Sequence, residues 1–391
     1  MRLAAILLGL VLVAAACSAE PAAPTPPSET DIGPAEPITQ RPPRGIVLER
    51  DDPEPLIDVH ELVRGGPPPD GIPPIDDPVF EPARQNVFVA LDEPVIALEI
   101  DGDARAYPAQ ILIWHEIVND HVGDVPVAVT YCPLCNTAVV FRRPRLDGRL
   151  LDFGTSGLLF RSNLVMYDRQ TESLWPQALG KAVVGAHTGT ELEILPAQLV
   201  SFGDFLEMHP DGLVLTRDTG VERRYGSNPY TGYDRPDSAP YLFEGELDDR
   251  LLPKARVVGL RFGRAFLAVP YDELLDGREG DHAAAAVQVG RHDVVVFWQA
   301  GTVSAIDAVL VKRSKDVGAT GTFDPRVDGR RLTFRATVGG IVDDQTGSTW
   351  NIFGVAVEGP LAGEGLRRLV AIESLWFDWA AIFPETRIWR R

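Results

Sequence analysis

The sequence predicts a mainly β protein with a few short helices, an α+β body made of two related β-rich lobes. Three observations carry this expectation. Residues 127–131, 138–141, 294–298 and 332–338 are short runs of β-branched and aromatic residues bounded by turn residues, which is strand composition. Short helices are expected at 110–117, 202–208, 271–275 and 373–382. Finally, two stretches read as copies of one another. Asp147-Gly148-Arg149, Leu151-Asp152-Phe153, Asp168, Thr171, Ser173 and Trp175 match Asp328-Gly329-Arg330, Leu332-Thr333-Phe334, Asp343, Thr346, Ser348 and Trp350. The second copy is shorter by part of one loop, and similar stretches upstream and downstream extend the match to two internal repeats.

The 391 residues are 45% hydrophobic and 24% charged, ordinary globular composition with enough apolar material for a sizeable core. A formal charge of −19 excludes nucleic acid and anionic lipid surfaces as partners, since both require basic patches. The three cysteines, Cys17, Cys132 and Cys135, are too few for a disulfide scaffold. No glycine-rich strand–turn–helix phosphate loop is present, which argues against a nucleotide enzyme.

At the N-terminus, Met1-Arg2 precedes an apolar run from Leu3 to Ala16. It is shorter than the ~20 residues of a membrane-spanning helix and reads as a signal peptide, 1–16. The small residues Ala14-Ala15-Ala16 lead into Cys17, resembling a lipoprotein processing site in which the cysteine carries lipid. Residues 17–55 then form a Pro-rich tether without core-forming periodicity. The first lobe, carrying a Cys-x-x-Cys pair, is expected at 56–250 and a degenerate second lobe at 251–391. The implied location is extracytoplasmic, with the lipid anchor joining the protein to the membrane at the cell surface or in the periplasm.

The repeat acts as an internal control. Groups present in both copies serve the fold: Asp168-x-x-Thr171-x-Ser173 and Asp343-x-x-Thr346-x-Ser348 read as Asx turns, Trp175 and Trp350 as core anchors. Groups present in one copy are candidates for chemistry. Chief among these is Tyr131-Cys132-Pro133-Leu134-Cys135-Asn136, in a tight turn between two expected strands.

Three readings of this pair compete. A passive disulfide closes a four-residue loop and constrains the unfolded chain by only roughly 2 kcal/mol. A reactive dithiol of the redox type ordinarily sits at a helix N-terminus, whereas a strand follows here. The leading expectation is a metal knuckle holding one copper or zinc ion, in which Asn136 adopts the left-handed conformation that often follows the second cysteine. His115 and Met166 are the expected additional ligands to Cys132 and Cys135, with His121 a weaker option, because thiolate, imidazole and thioether suit copper or zinc. Met166 also reads as core and His115 as a capping group. Glu116 is expected at the surface and Ser156 in a turn. Trp114, Tyr131, Asn163 and Tyr167 are candidates to line a small-molecule pocket.

Four segments carry a family resemblance: 129–135 (Val-Thr-Tyr-Cys-Pro-Leu-Cys), 70–76 (Asp-Gly-Ile-Pro-Pro-Ile-Asp), 114–120 (Trp-His-Glu-Ile-Val-Asn-Asp) and 162–168 (Ser-Asn-Leu-Val-Met-Tyr-Asp). Together they resemble the bacterial and archaeal family known as domain of unknown function 3179, over roughly 56–384. The resemblance implies an exported protein, commonly a lipoprotein, which fits Cys17. It implies no activity.

Overall fold

The computed structural model describes residues 52–391; the signal segment 1–16, Cys17 and the Pro-rich stretch up to residue 51 lie outside the described residues. The β-branched runs become strands longer than their apolar centres. Val125–Cys132 and Thr137–Arg142 pair antiparallel, flanked by Ile117–Val122 and Ile194–Leu195. His292–Gln299 lies between His282–Val289 and Ala319–Phe323. The run at 332–338 narrows to Phe334–Thr337, and the described residues are mainly β.

Four α-helices form among the described residues: α1 (Ala109–His115), α2 (Phe202–Met208), α3 (Tyr271–Leu275) and α4 (Trp376–Ile382). The Ser201 hydroxyl starts α2 by accepting from the Asp204 amide at 3.0 Å. The expected helix at 373–382 begins three residues late because Ile372–Leu375 pairs as a strand with Arg256–Phe262. Sheet pairing there overrides local preference.

The same strand connectivity recurs in the two halves. Gln198–Ser201, Pro94–Ile100, Asp103–Pro108 and Leu213–Leu215 are neighbours in that order, the last parallel to Asp103–Pro108. Ile372–Leu375, Arg256–Phe262, Ala265–Pro270 and Arg387–Ile388 follow the same order, the last again parallel to its neighbour.

The two Asx turns also share their main bonds, with Asp343 accepting one more from Ser348 N at 3.1 Å. Asp168 Oδ1 accepts from Thr171 N at 2.7 Å and Oδ2 from Trp175 Nε1 at 3.0 Å. Asp343 accepts from Thr346 N at 2.6 Å and Trp350 Nε1 at 3.1 Å. Each carboxylate therefore fixes a turn and satisfies a buried indole. Asp343→Ala strands the indole N–H and the turn amides, and is expected to cost about 2 kcal/mol, read as a lowered urea midpoint.

The two halves share their cores. Val95, Phe202 and Phe205 pack in one cluster with Phe297, Phe323 and Trp350. A second cluster gathers Cys132 and Cys135 with Leu375, Trp376 and Trp379. Between Leu213–Leu215 and Arg256–Phe262 the chain runs as turns and extended loop without a helix or strand, carrying Tyr225, Tyr230, Tyr233 and Tyr241. An irregular segment of this length is uncommon in a packed body and more often functional than incidental.

Candidate dithiol site between the two halves

Cys132 closes its strand opposite Thr137, so 133–136 form a tight turn. Asn136 takes the expected left-handed conformation at φ +52°, which its short polar side chain tolerates. The Tyr131 hydroxyl donates to Asn136 Oδ1 at 2.9 Å and holds the turn from inside. Both cysteines are free thiols, Cys132 2% exposed and Cys135 fully enclosed.

The sulfurs converge on one acceptor. The Ser162 carbonyl oxygen lies 3.3 Å from Cys135 Sγ and 4.0 Å from Cys132 Sγ. Arg161 and Ser162, at φ +53° and +72°, make the turn that presents this carbonyl. The Ser162 hydroxyl donates to the Tyr241 carbonyl at 2.6 Å, tying the irregular segment to the site.

The other half of the molecule completes the arrangement. Leu375 N donates to the Cys135 carbonyl at 2.9 Å. In the first turn of α4, the Asp378 carboxyl lies beside the Cys135 thiol, within electrostatic reach of it. Ser374 Oγ donates to Asp378 Oδ2 at 2.9 Å. Asn163 is pinned by Ala178 N at 2.9 Å, and its amide faces Asp378. Neither Asn163 Nδ2 nor Asp378 Oδ1 reaches good hydrogen-bond geometry.

Burial pushes Asp378 up to about 6, against the Ser374 hydrogen bond and the neighbouring Cys135 and Asn163, which favour its ionised form. Burial also drives the Cys135 thiol well above its ordinary range, and the neighbouring Cys132 and Asp378 add to it. Tyr233 lies within electrostatic reach of both thiols and Asp378, and Tyr230 of Glu116 and Cys132. Lys254 Nζ sits 3.3 Å over the Tyr233 ring and donates to the Tyr233 carbonyl and Ser238 Oγ.

The four-donor metal set expected from the sequence does not assemble. His115 Nδ1 is 2.7 Å from the Pro73 carbonyl and Nε2 is 2.6 Å from the Tyr225 hydroxyl. A carbonyl only accepts, so Nδ1 donates, and both ring nitrogens are already engaged. Burial lowers its proton affinity further. Met166 alternates on its strand with Asn163 and so faces the opposite side of the sheet, the side on which Asp168 holds Trp175. His121 is exposed opposite Pro126. Among the described residues, no three His, Cys, Asp or Glu side chains converge to hold a metal ion.

The pocket candidates part company. Tyr131 and Asn163 flank the thiols, whereas Trp114 Nε1 donates to the Ser227 carbonyl and the Tyr167 hydroxyl to Asp70 Oδ2. Ser156 lies at a bulge inside the strand Phe153–Phe160, its hydroxyl donating to the Val165 carbonyl, and not in a turn.

Glu116 departs furthest from expectation. It is 9% exposed, takes φ +59° as α1 ends, and is pushed up to about 8 by burial alone. Asp378 was missed altogether. Its signal was an acidic residue inside the apolar run Leu375-Trp376-Phe377-Asp378-Trp379, a placement that demands a buried partner.

Fold and site together define a mainly β protein with a buried dithiol and, near it, a carboxyl group from its other half. The chain belongs to the family described as protein of unknown function DUF3179, whose model matches residues 69–386. No curated protein and no solved structure matches it.

Proposed function

We propose that this protein is a thiol–disulfide exchanger, with Cys132 the attacking and Cys135 the resolving thiol. The observation that carries the reading is the convergence of two free, buried thiols on the Ser162 carbonyl, with the Asp378 carboxyl within electrostatic reach of Cys135. A thiol whose proton affinity is raised by burial is a poor nucleophile until that proton leaves. A carboxylate held against it is the group that takes the proton at the moment of attack.

The exchange balances as follows. The Cys132 thiolate attacks a partner disulfide, one partner sulfur leaves as a thiolate, and a mixed disulfide forms at Cys132. Cys135 then attacks Cys132 Sγ, its proton passes to Asp378, and the second partner sulfur leaves and takes up a proton. Two electrons move from the dithiol to the partner, and the reverse sequence oxidises a partner dithiol. Tyr230, Tyr233 and Tyr241 belong to the irregular segment packed over the site. A bulky partner therefore requires this segment to shift.

The lipid-anchored, extracytoplasmic location belongs to the same reading, since a disulfide persists in an oxidising compartment. So does descent of the two halves from one duplicated unit, supported by their matching Asx turns. In this reading the copy without cysteines keeps the scaffold and contributes Asp378.

Oxidised glutathione is the test probe. Cys135→Ser is expected to accumulate a glutathione adduct at Cys132, visible by mass, while the unaltered chain passes through it to the internal disulfide. An unaltered chain that never forms the 132–135 disulfide across glutathione redox buffers would sink the proposal. A stoichiometric copper or zinc ion, present in protein made in its own compartment and lost in Cys132→Ser, would return the pair to the metal reading.

A further inference from the structure

We propose that the cleft containing Arg368, between the two halves, binds a small oxyanion that also carries a hydrogen-bond donor. The cleft, a small cavity of about 30 Å³, is lined by Gln198 and Leu199 from the first half and Thr320, Thr322, Arg368 and Glu373 from the second. It is separate from the thiols and independent of the exchange reading.

Two opposite polar groups are left unanswered there. Gln198 is 6% exposed, and its amide nitrogen donates to the carbonyls of Thr320 and Ile352, both at 2.9 Å. Those two bonds use both amide hydrogens and lock the side chain, leaving Oε1 buried without a donor. Arg368 Nε is likewise buried without an acceptor. Among the described residues its guanidinium has no hydrogen bond or ion pair; it lies 5.4 Å over the Phe353 ring.

Nearby acids do not answer it. Glu99 acts only through space and lies 4.0 Å from His209 Nε2. Glu373, in the cleft wall, accepts from Thr320 Oγ1 at 2.6 Å and lies within electrostatic reach of Tyr271. Burial pulls Arg368 down to about 10, which leaves it cationic at neutral pH. A desolvated guanidinium without an anion and a desolvated carbonyl without a donor are both costly. One ligand satisfies both: an oxyanion on the guanidinium fork, with an O–H or N–H for Gln198 Oε1. Hydrogen phosphate and an α-hydroxycarboxylate each have this chemistry. Acetate has the anion without the donor.

Calorimetric titration of the full chain with inorganic phosphate, glycolate and acetate tests this. Phosphate, glycolate or both are expected to bind, and which of them does so decides between tetrahedral and planar oxyanions. Acetate should bind at least about tenfold more weakly than glycolate, the size of one lost hydrogen bond. Arg368→Met should abolish binding, with Arg368→Lys intermediate because it keeps the charge but not the fork. Failure of both phosphate and glycolate to bind overturns the proposal, as does undiminished binding in Arg368→Met. Acetate binding as well as glycolate removes Gln198 from it. The comparison of glycolate with acetate uses the unaltered protein, so it stands even where a variant fails to fold.

Discussion

Asp378→Asn is expected to stall thiol exchange at the mixed disulfide. Asparagine keeps the size of the side chain and an oxygen for the Ser374 hydroxyl, 2.9 Å away in the native protein. It cannot take a proton from Cys135. Positioned proton acceptors typically contribute 10²–10⁴-fold, so resolution of the Cys132 adduct should slow by about 10²-fold or more while its formation is little changed. That split separates a proton acceptor from a residue that merely supports the turn, whose loss would affect both steps together. The pH dependence points the same way. With the Asp378 proton affinity at about 6, the native resolving step should fall off as pH drops through that value, and the variant should lose this inflection. Stability should move in the opposite sense. A carboxyl raised by burial contributes stability at low pH that is lost as pH rises through about 6, so the variant should gain on the native protein above that pH. Adduct resolution at the native rate in Asp378→Asn would leave Cys135 without its base and the exchange mechanism without its central step.

The half of this site that was legible in the sequence is the half made by neighbours in the chain. The turn at 132–136 could be read because strand composition brackets it and because Asn136 tolerates φ +52°. The Asx turns could be read because Asp, Thr, Ser and Trp recur at one spacing, and their hydrogen bonds follow that spacing. The remainder depends on contacts between distant segments. Nothing local to Cys135 says that α4 delivers a carboxyl to its sulfur or that Ser162 turns its carbonyl inward.

Chemistry alone makes His115 and Met166 candidate ligands; two further facts decide where they point. The first is that α1 ends at His115 and turns the ring toward Pro73 and Tyr225. The second is strand alternation, which sends Met166 to the face opposite Asn163. Glu116 was misplaced for a related reason. An acidic residue between a helix and a strand ordinarily points to water, but here Tyr131 N donates to its carbonyl and draws it beneath the sheet.

That burial makes Glu116→Gln the substitution with the largest expected effect on stability. The ordinary value of this carboxyl is 4.5, and burial alone raises it to about 8. The folded protein therefore keeps a proton that the unfolded chain gives up. The associated stability is fully present below about 4.5 and is lost as pH rises through about 8. The slope approaches about 1.4 kcal/mol per pH unit and sums to the order of 5 kcal/mol. Glutamine keeps the shape and the helix-ending φ of +59° but has no charge to desolvate. Strain is thus common to both proteins, and the difference between them reports the charge. Urea midpoints measured between about pH 5 and 8 should fall steeply for the native protein and much less for the variant. Lys254 has the opposite sign, since burial lowers it to about 8 and its contribution grows with pH above that value. It is present in both proteins and cancels in the comparison. Parallel curves would mean that Glu116 reaches water in solution. In that case Tyr230, which lies within electrostatic reach of both Glu116 and Cys132, would not seal the dithiol from that side.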